Sequence, residues 1–396
     1  MIICFDCPSN IKRLLDSMIS NSEYADYGEA IISAIQNLLI IQGEVKKKGV
    51  ACLGNDVEDD EHIAVNQSAE ISSSHKKDIL VKEESKSRNS IGSLNKQKSS
   101  IPAIFTLENL ECDLSEIPEI EAIPLGEIKE YSVNHWIFGM YNRLLPAKAN
   151  CRALAKFIIE RGGHGIPIKD QVEKIAYRIA EEAALLGDYL RKHDENFNLK
   201  RDDGLSTAFP GSAPRDEKSR LRYATQFVAR IDSTGDVSGL LSDLRLIEKT
   251  ESDKPSIRLT KPGWEFALQE NPVLDNLQDK PVDKFFDQEV DLIISHICGN
   301  VPTEVSAFFS IMSLLSSGKK APHEIDKALL DLYVSKNEED EDKKLARIAT
   351  QRAGVTSRMI DLKIIFRERN GTKLTYSITD KGKVVLETLG NIVRAH

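Results

Sequence analysis

The chain has few features of a secreted or membrane-embedded protein. Its six cysteines are scattered over 396 residues, which is typical of a reducing compartment and not of a disulfide framework. No apolar run approaches the ~18 residues that a membrane-spanning helix needs. The start, MIICFDCPSN, lacks the basic region and the apolar core of a signal peptide. We therefore expect a cytoplasmic protein with no membrane contact.

An excess of basic charge is also absent. The net charge of −9 argues against non-specific coating of nucleic acid, although it allows a basic surface on one domain. An apolar content of 41% and a charged content of 29% are ordinary for a globular protein, and this length is enough for two or three domains.

Patterns typical of catalysis or metal binding are missing as well. Cys4 and Cys7 have the spacing of a zinc knuckle, but no further ligands follow at short distance, and positions 4 and 7 of a strand point to opposite faces. The glycines around His164 are not followed by the Gly-Lys-Ser/Thr of a phosphate-binding loop. We predict no enzyme, no metal and no cofactor.

Residues 1–42 read as a strand, a proline, two helices and a short loop (Ser22-Glu-Tyr-Ala25) between the helices. This order resembles the ribbon-helix-helix family. The resemblance implies an obligate dimer whose paired strands can enter the DNA major groove. The outward strand positions Ile2, Cys4 and Asp6 offer no base-reading side chain, so dimerisation is favoured here over DNA reading. Residues 43–100, rich in Lys, Glu and Ser, are predicted to be a disordered linker.

Residues 101–146 are acidic and apolar with spaced prolines, which indicates an extended strap without regular helix. Beyond the strap, apolar spacing predicts helices over residues 147–161, 168–193 and 215–231. Later in the chain, an acidic insertion at residues 337–342 is predicted to precede a separate helix at 343–350. A short polar linker covers residues 271–284.

Two stretches of the chain repeat. Residues 237–247 (VSGLLSDLRLI) align with residues 355–365 (VTSRMIDLKII), and residues 257–263 (IRLTKPG) align with residues 376–382 (YSITDKG). The first pair keeps Asp-Leu-basic and the second pair keeps Thr-x-x-Gly, which indicates a duplicated module. In the second copy, Asn370-Gly371 lies between two strand-like runs and predicts a tight hairpin with its turn at these two residues, because both tolerate positive φ.

A helix that leads into a charged hairpin resembles the end of a winged helix-turn-helix module. Residues 244–247 and 362–365 lie where that superfamily carries its strand into the wing, although its usual glycine before the strand is absent from both copies. The resemblance implies a mainly α fold with small β-hairpin wings. The expected fold has a first winged-helix repeat at residues 147–270, with an insertion, and a second at residues 285–396.

In a winged helix the third helix enters the major groove and the wing approaches the backbone. In the second repeat we predict DNA contacts from eight polar or basic residues on these two elements: Gln351, Arg352, Thr356, Ser357, Arg358, Arg367, Arg369 and Lys373. The first repeat carries Asp232, Asp236 and Asp243 at the equivalent helix, and basic residues on its wing: Lys249, Lys254 and Arg258. A third basic cluster is spread by helical spacing over more than one face: Arg215, Lys218, Arg220, Arg222 and Arg230.

Two functions fit these patterns. The first is a dimeric protein that binds double-stranded DNA through tandem winged helices, as a transcriptional regulator or at a replication or partition site. The alternative is a protein-interaction scaffold in a larger DNA-processing or defence complex, with protein partners on the first repeat. The acidic net charge and the acidic first repeat favour the alternative.

Overall fold

The computed structural model describes residues 100–120, 132–163, 165–250, 252–278, 280–332 and 340–395, which all belong to one compact unit, Gly92–His396. The ribbon-helix-helix-like segment, residues 43–99 of the linker, and Cys4 and Cys7 lie outside the described residues. The described part is mainly helical with small antiparallel sheets, as predicted. Among its helices, none combines the length and apolar content needed to cross a membrane.

The first repeat alternates helices with short strands. Its elements are α1 (Leu145–Glu160), β1 (Ile166–Pro167), α2 (Ile168–Asn196), α3 (Glu217–Tyr223) with a π-helical turn (Ala224–Val228), β2 (Arg230–Ile231), β3 (Val237–Ser238), α4 (Leu240–Asp243), β4 (Ile247–Lys249), β5 (Ser256–Leu259) and α5 (Lys261–Leu268). Strands β1, β5 and β4 form one sheet in that order, and β2 pairs with β3. The helix predicted over residues 215–231 is wrong at its end, because the chain turns into β2.

The second repeat has four α-helices before its hairpin and one after it in the described residues, and its hairpin strands are longer. Its elements are α6 (Asp287–Asn300), α7 (Pro302–Ser316), α8 (Pro322–Leu329), α9 (Glu341–Asp361), β6 (Ile365–Asn370), β7 (Lys373–Ile378) and α10 (Asp380–Ala395). The separate helix predicted at residues 343–350 is wrong. It is the first half of α9, which runs unbroken for 21 residues.

The predicted hairpin is present, but its turn lies one residue later. Asn370 pairs with Lys373 as the last residue of β6, so Gly371 and Thr372 form the loop. Gly371 has a φ of 63°, whereas Asn370 is not in the left-handed region. A glycine at the first loop position suits the type of two-residue turn that needs positive φ only there. The prediction of a turn at Asn370-Gly371 is therefore wrong by one residue.

The sequence motifs shared by the two repeats build the same joint between helix and hairpin. The basic residue of Asp-Leu-basic ends the helix in the left-handed region, with φ of 53° at Arg245 and 57° at Lys363. The threonine hydroxyl then donates a hydrogen bond to that residue's carbonyl, from Thr260 to Arg245 at 2.8 Å and from Thr379 to Lys363 at 2.7 Å. The same hydroxyl accepts the amide hydrogen of the glycine that follows.

The glycine of Thr-x-x-Gly is required by a close backbone approach. A Cβ added at Gly263 would collide with the carbonyl oxygen of Leu246, and one added at Gly382 would collide with that of Ile364. The closing helix of each repeat can therefore begin directly against the strand that leaves the joint. The residues shared by the two repeats therefore have a structural role: they hold the helix, the hairpin and the closing helix together.

The repeats differ in the helix before the joint. In the second repeat, residues 355–361 are the last turns of α9, but in the first repeat their counterparts form β3 and the four-residue helix α4. Gly239 has a φ of 119°, which breaks the helix between β3 and α4. The first repeat thus presents a β2–β3 hairpin where the second has continuous helix.

A buried polar seam joins the two repeats. Lys148 on α1 forms a 2.9 Å ion pair with Glu289 on α6, and both side chains are excluded from solvent. Asn271 donates its amide to the same carboxylate at 3.1 Å. Further along, the backbone amide of Leu144 donates to Asp361 at 3.0 Å. Because unpaired buried charges are strongly unfavourable, these partners hold the repeats in a fixed arrangement.

Candidate nucleic-acid interface

Arg352 lies in the core of the second repeat and not on its surface. Only 3% of its surface is exposed. Its Nε donates to Asp326 on α8 at 2.7 Å, and its Nη2 donates to the other oxygen of that carboxylate at 3.2 Å. This two-pronged pairing fixes α9 against α8. The guanidinium is occupied inside the protein, so the predicted contact of Arg352 with a base loses its physical basis.

Arg358 is buried even more completely, at 1% exposure. Its Nε and Nη2 donate to the carboxylate of Glu304 on α7 at 2.5 and 2.9 Å, and its Nη1 donates to the carbonyl of Tyr141 at 2.6 Å. Thr356 is also buried, and its hydroxyl donates to the carbonyl of Arg352. The expectation that Arg352, Thr356 and Arg358 form a solvent-facing reading surface is wrong, because all three side chains point into the packed interior.

The strap covers another face of α9. A Cβ added at Gly139 would collide with the carbonyl of Thr350, and one added at Gly354 would collide with the backbone of Gly139. Two glycines therefore let the strap and the helix pack backbone to backbone. Gln351 and Ser357 on the same helix are only half-buried. The Oε1 atom of Gln351 is buried and accepts no hydrogen bond from the described part of the chain.

The wing of the second repeat carries the predicted basic residues at or near its surface. Arg367 and Arg369 are two residues apart on β6 and so share one face of the hairpin. Arg367 is paired with Asp202 and Asp203 of the first repeat, each at 2.9 Å, and Arg369 lies 3.8 Å from Asp202. Lys373 is exposed at the start of β7. The wing is thus basic, but two of its three cations already face carboxylates.

The wing of the first repeat is similar in this respect. Lys249 donates to the carbonyl of Gly235 at 2.7 Å and pairs with Asp236 at 3.2 Å, which ties β4 to the β2–β3 hairpin. Arg258 pairs with Glu248 across the β4–β5 sheet at 2.7 Å. Lys254, at the wing tip, is exposed and makes no ion pair with any described residue. Of these three cations, Lys254 alone has no carboxylate partner in the described part of the chain.

The third basic cluster separates into two groups. Arg220 turns back to the preceding loop, where its Nη1 donates to the carbonyls of Gly211 and Ala213 at 3.0 and 2.9 Å. Arg215, Lys218 and Arg222 are exposed, and their side chains make no hydrogen bond or ion pair with the described residues. Helical spacing predicts this separation, because positions 218 and 222 share a helical face and position 220 lies on the opposite side.

This surface, which we call the α3 face (Arg215, Lys218 and Arg222), is the part of the candidate interface that sequence reasoning undervalued. Tyr223 beneath it is buried and donates to Asn150 at 3.1 Å. Its ring stacks on that of Phe227 at 5.2 Å between centroids. An aromatic stack and a buried hydrogen bond therefore hold α3 on the core while its cations project outward. Arg230, two residues after the π-helical turn, is also exposed.

Two titratable groups in the seam have shifted pKa values. Burial lowers the pKa of Lys148 to about 8, although the adjacent Glu289 carboxylate acts in the opposite direction. Burial also lowers the pKa of His296, whose ring Nε2 lies 2.7 Å from the carbonyl of Leu244 in the other repeat. That contact is a hydrogen bond when Nε2 carries the proton. Both groups contact a residue of the other repeat, Lys148 through Glu289 and His296 through Leu244.

Within the described ranges, no group of three or more His, Cys, Asp and Glu side chains is arranged to hold a metal ion. Comparison of the chain with models of protein families, with curated proteins and with solved structures found no match. The functional argument therefore rests on the geometry and charge of the chain itself.

Proposed function

We propose that the two repeats are winged-helix modules and that the protein binds double-stranded DNA. In the first repeat, helix, short strand and helix are followed by a hairpin whose second strand pairs with that short strand, in the order β1-β5-β4. In the second repeat, the backbone amide of Tyr376 on β7 donates to the carbonyl of Lys320 at 3.0 Å, so residue 320 takes the place of β1. This connectivity supports the assignment.

The observation that carries the proposal is the α3 face. Helix α3, its π-helical turn and α4 lie before the first wing, as α9 lies before the second. A Cβ added at Gly239 would lie 3.1 Å from the carbonyl of Gln226, so α4 packs directly on the end of the π-helical turn. We therefore assign the α3 face to the first repeat's third-helix position, where its three cations, which have no ion-pair partner among the described residues, can meet phosphates. Arg215 and Arg222 can also reach guanine edges.

The proposal moves the DNA contacts from the second repeat to the first. Lys254 at the first wing tip adds a further cation that has no ion-pair partner in the described ranges. Contacts of this kind give affinity that depends strongly on salt and weakly on base sequence, because most of them go to phosphates. Target choice, as a regulator or at a replication or partition site, then requires the dimer to place several such surfaces on one duplex.

The test compares Lys218→Ala/Arg222→Ala with Lys174→Ala/Lys192→Ala. The control removes two exposed cations from α2 that likewise make no ion pair within the described residues. Loss of two phosphate contacts lowers the slope of log K against log salt by about 2 and weakens binding roughly tenfold or more near ~0.1 M salt. The readout is fluorescence anisotropy of a labelled duplex with the full chain. Equal effects of the two variants, or no duplex binding at low salt, would overturn the proposal.

We also propose that residues 1–42 make the protein a homodimer. The support is the strand–helix–helix pattern of that segment, which is too short to bury a core alone. Light scattering should give a dimer mass for the full chain and a monomer mass for a chain that begins at Pro102. A shortened chain that remains dimeric would place the dimer contact elsewhere.

A second candidate function is protein interaction, in which the repeats act as a rigid scaffold. The observation in its favour is α9, whose Arg352 and Arg358 point inward and which packs against the strap at Gly354. The two arginines predicted to read base edges are therefore engaged inside the protein, which favours a structural role for this helix. The anisotropy measurement separates the two functions, since a scaffold of this kind has no salt-dependent affinity for a duplex.

A further inference from the structure

The basic wing of the second repeat meets an acidic loop of the first. The two carboxylates of Asp202 and Asp203 take both Nη groups of Arg367, each at 2.9 Å, and Asp202 also lies near Arg369. Arg367 and Arg369 are on the same strand face, which is the spacing a hairpin uses to follow a phosphate backbone. We call Asp202 and Asp203 the acidic pair.

The loop that carries the acidic pair is held rigidly. The buried carboxylate of Asp194 at the end of α2 accepts the backbone amides of Leu205 and Ser206, each at 2.9 Å, and the hydroxyl of Ser206 at 2.6 Å. Arg143 donates to the backbone carbonyl of Asp202 at 3.2 Å. The carboxylates are thus presented at a fixed position, so little side-chain or loop freedom is lost when they meet the wing.

We propose that the second wing is an additional DNA-backbone contact and that the acidic pair occupies it in place of two phosphates until a duplex displaces it. This inference rests on the proposed function. The carboxylates match phosphates in charge and in the oxygens they offer to a guanidinium. The Arg367 side chain is 18% exposed, but its partners Asp202 and Asp203 are 42% and 63% exposed, and ion pairs that open to solvent on one side are weak enough to be exchanged for phosphates.

The acidic pair also explains how a wing with Arg367, Arg369 and Lys373 coexists with an acidic protein. Without the pair, three cations on a short hairpin would attract any polyanion. When the acidic pair is present, the second wing binds phosphates only after the α3 face has bound a duplex, because the local concentration of phosphates is then high. The first repeat supplies the initial contact, and the second wing adds to it.

The experiment measures duplex affinity of the full chain with Asp202→Asn/Asp203→Asn. The matched control, Asp283→Asn/Asp291→Asn, removes the same charge from exposed acids that pair with Lys363 and Lys381 at the base of the hairpin and not with its arginines. Freed arginines raise the affinity roughly 3- to 10-fold over the control and steepen the salt slope by about 1–2 units. Adding Arg367→Ala to the acidic-pair variant should remove most of the gain.

The outcomes separate the inference from the proposed function. If the wild-type chain binds a duplex and the acidic-pair variant matches the control, the acidic pair does not occupy a DNA contact and the inference is wrong. If the gain survives Arg367→Ala, the wing is not the released surface, and the inference is again wrong. If neither the wild-type chain nor any variant binds a duplex, the proposed function fails and the inference with it.

Discussion

At the residue scale, the buried pair of Arg358 and Glu304 links three parts of the chain, α9, α7 and the strap. Removing one member leaves the other charged and without a partner inside the protein. We expect Arg358→Ala to lower the free energy of unfolding by about 3–5 kcal/mol. Urea denaturation measures this change.

The control for that prediction is Arg369→Ala, whose side chain is 45% exposed and only distantly paired. Its effect on unfolding should stay within about 0.5 kcal/mol. Replacing both members, as Arg358→Met/Glu304→Leu, should be less harmful than either single change, because no unpaired charge remains. Similar losses for Arg358→Ala and Arg369→Ala would contradict the structure.

His296 gives the protein a specific sensitivity to mild acid. Burial lowers its folded-state pKa below the unfolded value of about 6.5, so the unfolded chain binds more protons below that pH. Stability from the neutral ring is therefore complete above about pH 6.5 and is lost as the pH falls further. In His296→Gln, urea midpoints at pH 7 and pH 5 should lie closer together than in the wild type. An unchanged gap would assign the acid sensitivity to other groups.

The sequence could not reveal these partners. Glu304 and Asp326 lie 54 and 26 residues from the arginines they bind, so no local spacing connects them. An arginine on a predicted reading helix and an arginine that braces a core look the same in one sequence. Helical spacing was more informative on α3, where it separates Arg220 from Lys218 and Arg222.

At the scale of elements, the joint between helix and hairpin depends on a glycine in each repeat. We expect Gly263→Ala and Gly382→Ala each to lower the free energy of unfolding by about 1–3 kcal/mol or more, because the new methyl group meets a backbone carbonyl. Gly299→Ala on α6 is the matched control, since an added Cβ meets no atom within 4 Å there. That change should be neutral or stabilising by up to about 1 kcal/mol. Thermal unfolding of the three variants measures the contrast.

Helices and strands were predictable where the apolar pattern extends over many residues or where a glycine marks a turn. Helices α1 and α2 and the β6–β7 hairpin follow directly from apolar spacing and from Gly371. The end of α3 was not predictable from spacing, because β2 exists only through its pairing with β3. The same limit applies to β1, a two-residue strand that is defined by its pairing with β5.

At the scale of the whole described unit, the seam should make the two repeats unfold together. Glu289→Ala leaves Lys148 buried between them without its counter-ion, so the ammonium must either stay unpaired or lose its proton, and we expect a loss of about 3–5 kcal/mol. Hydrogen exchange should then accelerate by the same factor in β5 of the first repeat and in β7 of the second. Asp380→Asn, which affects an exposed pair with Lys383, serves as the control. Acceleration confined to one repeat would show that the repeats open separately.

The way the repeats associate was beyond sequence reasoning, although the duplication itself was visible. The aligned motifs show that two similar units exist, but the residues that join them are the ones that differ. Lys148, Glu289 and Asn271 belong to no shared motif. Their meeting depends on the packing of α1 against α5 and of α5 against α6, which is a property of the folded chain.

Each hairpin is attached through a joint that does not depend on the hairpin's own sequence. Thr260 and Gly263 form this joint in the first repeat, and Thr379 and Gly382 form it in the second. Each joint consists of a left-handed backbone residue, one hydroxyl and one missing side chain, and none of these touches the hairpin tip. The stretch between them can therefore vary in length, charge and partner without disturbing its attachment. The two joints are alike in these groups, whereas the hairpins they hold differ in strand length and in the partners of their cations.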